Sequence, residues 1–205
     1  PRPLSPLSVT IFYKMSENIT PSTLQKLLKE QKDLINHPAE GIALEMNEDD
    51  VCVCNATISG PAGTPYVGGS FKIRIVFGTE YPAVPPKGFF TTRIFHPNIA
   101  KTGDICVNTL KRDWKPDMGL RHILMVIRCL LIEPFPESAL NDEAGKLLME
   151  DYEAYASHAR MMTSIHAMKK SNGADSAEEN NDDDANGENN NNTGAAPEKM
   201  KKAKT

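Results

Sequence analysis

Between residues 42 and 77 the chain runs through three short strand-like segments separated only by turn formers, and no other stretch restricts the fold as much. The segments span 42–46, 51–59 and 70–77. They are joined by Asn47-Glu48-Asp49-Asp50 and by a Gly60-Pro61-Ala62-Gly63-Thr64-Pro65-Tyr66-Val67-Gly68-Gly69 connection. Such short, turn-rich links imply an antiparallel meander. A fourth strand is expected at 88–92, after the proline-rich run Tyr81-Pro82-Ala83-Val84-Pro85-Pro86-Lys87, in which a cis bond before Pro82 is expected.

Helical patterns flank this sheet. Thr20 suits an N-cap and Pro21 the first helical position. Leu24, Leu27, Leu28, Leu34 and Ile35 then share one face until Asn36-His37-Pro38 stops the helix. Further helices are expected at 120–132, at 138–151 with Ser138 as cap, and at 152–168. The fold class is α/β (α+β): a four-stranded antiparallel meander with one N-terminal and three C-terminal helices.

The chain has 205 residues, 40% of them hydrophobic, which suits one domain with extensions. Residues 20–168 form the expected domain. Residues 1–19 are expected to be an unstructured extension, within which Met15-Ser16-Glu17-Asn18 resembles a native start. Residues 169–205 are rich in Asn, Asp and Glu and end in a basic cluster at Lys199, Lys201, Lys202 and Lys204, so a disordered tail is expected there. Eight acidic and four basic side chains in 171–205 account for the whole net charge of -4. A balanced domain offers no bulk attraction for nucleic acid, and no long apolar span points to a membrane. Protein partners are expected instead.

Cys52 and Cys54 alternate with Val51 and Val53, so both should fill one buried face rather than pair with each other. No Cys-x-x-Cys pair occurs and the histidines do not cluster with cysteines, so no metal site is expected. Reduced thiols imply a cytoplasmic and nuclear setting.

Segment 95–116 lacks periodicity and holds the chemistry. His96-Pro97-Asn98 precedes Cys106, which lies in Gly103-Asp104-Ile105-Cys106-Val107-Asn108, and the only tryptophan, Trp114, follows. A cysteine and a carboxamide among rigid proline turns suggest a thiol that carries an acyl group beside a fixed hydrogen-bond donor. Two readings stand for each residue: Cys106 is a nucleophile or a buried filler, and Asn98 is a charge-stabilising donor or a turn brace.

In order and spacing these landmarks resemble the ubiquitin-conjugating enzymes, across about residues 20–168. The resemblance implies that Cys106 accepts ubiquitin as a thioester from the ubiquitin-activating enzyme. It implies that Asn98 stabilises the oxyanion during transfer to lysine, and that His96 and Pro97 support the loop. Asn108, Glu137, Ser138 and Asp142 would line the acceptor lysine; many relatives carry Asp at the positions of Asn108 and Ser138. No cofactor is bound directly, ATP being consumed by the upstream activating enzyme. The alternatives are a conjugating enzyme for another ubiquitin-like protein and a non-catalytic ubiquitin-binding scaffold.

On the 120–132 helix, Ile123, Leu124, Ile127, Leu130 and Leu131 share one face, with Met125 and Cys129 opposite. That opposite face is either buried too or, as the resemblance implies, a docking site for donor ubiquitin. Ala83 and Lys115-Pro116-Asp117 replace the Phe and Ser-Pro-Ala that many RING- and HECT-dependent relatives carry. The runs at 60–66, Leu110-Lys111-Arg112-Asp113-Trp114 and Glu137-Ser138-Ala139-Leu140-Asn141 resemble the S-type branch of the family. That branch implies chain elongation with the anaphase-promoting complex as ligase, although the tail lacks the branch's terminal leucine-arginine stretch.

Overall fold

The computed structural model describes residues 19–47, 50–112 and 114–168. The expectations for 1–18 and for 169–205 lie outside these residues.

Helix α1 is Pro21–Asn36, capped by the Thr20 hydroxyl, which accepts from the Thr23 amide at 3.3 Å. It buries Leu27, Gln31 and Leu34. Ile35, expected on the apolar face, is exposed, and Gln31 takes a buried place there by donating to the Val51 carbonyl at 2.9 Å. Ile19, assigned by sequence to the extension, is buried in the core just ahead of the helix.

The sheet runs β1 (Ile42–Glu45), β2 (Val53–Ser59), β3 (Ser70–Val76) and β4 (Lys87–Phe90), antiparallel throughout and in sequential order. β2 starts at Val53 rather than 51 because Asp50 holds a turn: its side chain accepts from the Cys52 amide and its carbonyl from the Val53 amide. Cys54, Ala56 and Ile58 of β2 face inward with Phe71, Ile73 and Ile75 of β3. The Tyr81–Pro82 peptide is cis, as expected.

After the sheet come a short helix α2 (Val107–Lys111), α3 (Leu120–Leu130), a 3₁₀ turn (Pro136–Ser138), α4 (Asp142–Glu150) and α5 (Tyr152–His166). Five residues of helix cannot display periodicity, which is why α2 escapes the sequence reading. The expected helix at 138–151 is corrected: Asn141, not Ser138, caps it, its side chain accepting from the Ala144 amide at 3.4 Å. Ser138 instead ends the 3₁₀ turn that begins at Pro136.

α3 presses Ile123, Leu124, Ile127 and Leu130 into the same core as the inner face of the sheet. Fully burying one such side chain contributes about 1.5–3 kcal/mol. A buried polar knot ties the far end together: the Tyr66 hydroxyl donates to the Phe95 carbonyl at 2.8 Å and lies 2.6 Å from the Tyr155 hydroxyl of α5.

Candidate active site

A tight hairpin explains the spacing between Asn98 and Cys106. The chain turns at 100–104, where the Ala100 amide donates to the Asp104 carbonyl and the Gly103 amide to the Ala100 carbonyl. Ile99 then stands opposite Ile105, and the Cys106 amide donates to the Asn98 carbonyl at 3.0 Å. Gly103 makes the turn with φ +99°, and a Cβ there would lie 2.2 Å from the Phe90 carbonyl oxygen, so glycine alone fits. The returning arm docks on the edge of β4: the Phe90 amide donates to the Gly103 carbonyl and the Ile105 amide to the Gly88 carbonyl.

Cys106 is therefore fixed on both sides. It stands at the N-cap of α2 and is 5% exposed. It opens onto a cavity of about 440 Å³ shared with Lys87, Phe89, Asp104, Asn108 and Leu140. Cys52 and Cys54 are sealed in the core, where burial pushes their thiols up to about 11 and about 12. They are the inert fillers the sequence implied, and a buried neutral thiol is a poor nucleophile.

Asn98 is fully buried and its carboxamide is engaged on every side. Nδ2 donates to the carbonyls of Phe135 (2.6 Å) and Ser138 (3.0 Å), while Oδ1 accepts from the Phe135 amide at 2.8 Å. In this geometry the side chain braces the 135–138 loop, and neither amide hydrogen points freely toward Cys106. His96 supports it from below. Its Nδ1 accepts from the Asn98 amide at 3.0 Å, so the proton sits on Nε2, which donates to the Leu130 carbonyl at 2.8 Å. Burial holds the imidazole down at about 4, hence neutral. The Pro97 carbonyl accepts from the amides of Leu140 and Asn141, pinning the start of α4 to the same loop.

Of the acceptor-side candidates, Asn108, Glu137 and Ser138 line a second cavity of about 450 Å³ with Arg112 and Phe135. Asn108 lines the Cys106 cavity as well, so the two lie side by side. Asp142 opens elsewhere, on a cavity with Lys101 and Glu143 that does not include Cys106. Met125 and Cys129 are solvent-exposed on α3, so burial on both sides of that helix does not hold. Sequence reasoning passed over Phe135 and Arg112. A lone aromatic between Pro134 and Pro136 was the available signal.

The sequence profile of the ubiquitin-conjugating enzymes matches residues 26–163. The chain belongs to the ubiquitin-conjugating enzyme family. It is 60% identical over 151 residues to a Branchiostoma floridae protein named ubiquitin-conjugating enzyme E2 S, covering 74% of this chain and 71% of that one. A Danio rerio protein of the same name is 55% identical over 158 residues, with 77% and 72% covered. In three dimensions the enzyme is similar to a putative ubiquitin conjugating enzyme from Plasmodium yoelii, with TM-score 0.67 and 34% identity, across 73% of this chain and 98% of that one. The expected fold class and family stand: this is a transferase that works through a thioester, with ubiquitin, an activating enzyme and a ligase as its partners.

Proposed function

We propose that the enzyme carries ubiquitin on Cys106 and passes it to lysine, elongating ubiquitin chains with the anaphase-promoting complex. The observation that carries the transfer to lysine is the pairing of two neighbouring cavities across Asn108, one holding the Cys106 thiol and one walled by the braced 135–138 loop. In loading, the Cys106 sulfur attacks the thioester carbonyl of ubiquitin on the activating enzyme, whose own thiolate departs. In discharge, a neutral lysine amine attacks the new thioester carbonyl. The tetrahedral oxyanion collapses, the C–S bond breaks, Cys106 leaves as thiolate, and the proton lost from nitrogen passes to a base or to water.

Asn98 holds the acceptor loop in register for that attack, and one of its amide hydrogens could reach the oxyanion only by releasing a loop carbonyl. Glu137 stands at the mouth where the lysine ammonium arrives, with Asn108 and Ser138 completing the wall. The exposed Met125 and Cys129 receive the donor ubiquitin. The choice of ligase rests on the S-type resemblance. The enzyme needs no cofactor of its own, and its four unpaired cysteines suit cytoplasm and nucleus.

The test is incubation with ATP, a ubiquitin-activating enzyme and ubiquitin. A thiol-sensitive adduct should form on the wild type, an oxyester resistant to reductant on Cys106→Ser, and none on Cys106→Ala. Loss of the adduct on Cys54→Ala or Cys129→Ala, with Cys106→Ala still active, would overturn the assignment. Loading with another ubiquitin-like protein but not with ubiquitin would favour the alternative cargo. Chain extension with and without purified anaphase-promoting complex tests the ligase.

A further inference from the structure

The guanidinium of Arg112 stacks over the Phe135 ring, 4.8 Å from its centroid. This contact closes a circuit around the second cavity. The Cys106 amide is bonded to the Asn98 carbonyl, and the Asn98 side chain grips the Phe135 main chain through both its N–H and its C=O. The Phe135 ring carries Arg112, and the Arg112 amide returns to the Asn108 carbonyl at 2.9 Å, two residues from Cys106. Every other link uses main-chain atoms. The stacked pair is the one link made between two side chains, and Arg112 is exposed at the outer rim.

We propose that Arg112 is a positioning residue for acceptor attack, fastening the helix that follows Cys106 to the 135–138 loop through Phe135. This rests on the reading of the second cavity as the approach of the acceptor lysine. The Asn98 grip fixes the Phe135 backbone, and the half-buried ring rests on the core with one face left for the guanidinium. A cation on that face ties the ring to the helix that follows Cys106, and sets with it the width of the gap between Asn108 and Ser138. Loading makes no use of that gap, so the effect falls on discharge.

A cation–π pair whose cation is exposed, as Arg112 is, contributes about 0.5–1 kcal/mol, which at 1.4 kcal/mol per tenfold is about a two- to fivefold rate effect. The experiment loads the full chain with ubiquitin, quenches the activating enzyme and follows discharge to free lysine. Loading rate and melting temperature are measured on the same preparations. Arg112→Met, which keeps the length without the charge, should lower the ratio of discharge to loading about two- to fivefold. Arg112→Lys should restore most of it, and Phe135→Leu should reproduce the loss. The double variant Arg112→Met/Phe135→Leu should be no slower than Phe135→Leu alone, because both changes remove the same contact. Multiplying effects in the double variant, an unchanged ratio for Arg112→Met, or failure of Arg112→Lys to rescue would each overturn the proposal. Absence of any adduct on the wild type would instead remove the underlying reading, before discharge is measured.

Discussion

Replacing Asn98 by alanine strips three hydrogen bonds from one buried side chain: two donated to the Phe135 and Ser138 carbonyls and one accepted from the Phe135 amide. Each main-chain group left unpartnered costs roughly 1–3 kcal/mol when water does not replace the bond. These partners are part-buried rather than sealed, and the vacated carboxamide leaves room for water. The Phe135 carbonyl keeps the Ser138 amide as a donor at 3.1 Å, so the low end of the range applies to two groups, the Ser138 carbonyl and the Phe135 amide, about 2 kcal/mol in all. For a domain of this size 1 kcal/mol moves the melting temperature by about 2–4 °C, so a fall of roughly 4–8 °C is expected. The same change unlatches the 135–138 loop, and discharge to lysine should slow more than loading. An oxyanion donor acting alone predicts something else: a loss of about 2.7–4 kcal/mol in the discharge step with little change in melting. Thermal melting and single-turnover discharge, both on Asn98→Ala and the latter well below its melting temperature, separate the two. A melting temperature within about 2 °C of wild type, less than 1 kcal/mol is worth here, would refute the brace.

His96 gives a pH dependence with a definite sign. Its folded value of about 4 lies below the ordinary 6.5, so the unfolded chain takes up the proton first. The stability it contributes is complete above about pH 6.5 and is lost as pH falls toward 4, to a total of about 3 kcal/mol. Denaturant titrations between pH 7.5 and 4.5 should show a smaller decline for His96→Gln than for wild type. Gly103→Ala forces a left-handed backbone and a clash with the Phe90 carbonyl; a loss of about 1–3 kcal/mol or more and slowed loading are expected from melting and adduct-formation rates. Met125→Glu or Cys129→Glu should leave stability within about 0.5 kcal/mol, because both sites are exposed. Either change should slow chain formation more than loading, and equal chain lengths on a gel would remove the donor-docking role of α3.

The fold was legible wherever local chemistry and burial agree. Thr20-Pro21 announced α1, the turn formers between short runs announced the meander, and alternation at 51–54 announced the buried face of β2, because half-buried strands must write their two faces into the sequence. Ile35 left its expected place and Gln31 took a buried one, because a long amide that finds a carbonyl partner is as easily buried as an aliphatic chain. Ser138 and Asn141 both have capping side chains, and long-range bonds decide between them: Asn98 holds the Ser138 carbonyl, and the Pro97 carbonyl holds the Leu140 and Asn141 amides. At the site, Cys106 and Asn98 stood out by spacing, and the hairpin at 100–104 supplies the physical reason for it. Apart from the flanking prolines of Phe135, the pairing of Arg112 with Phe135 left no trace, since they are separated by more than twenty residues and meet only through the fold.

The docking of the Gly103–Ile105 arm along β4 has a consequence outside catalysis. An open sheet has two unpaired edges, and each invites pairing with another chain. Here the arm that leads into Cys106 occupies the β4 edge, so the same few residues shield a strand from self-association and deliver the thiol. Any fluctuation that frees the arm would release a bare strand edge and an exposed cysteine together, the raw material for both β-aggregation and disulfide crosslinking. Mobility in this arm is thus hazardous in two ways at once, and ubiquitin has to be brought to a thiol that stays where the sheet holds it.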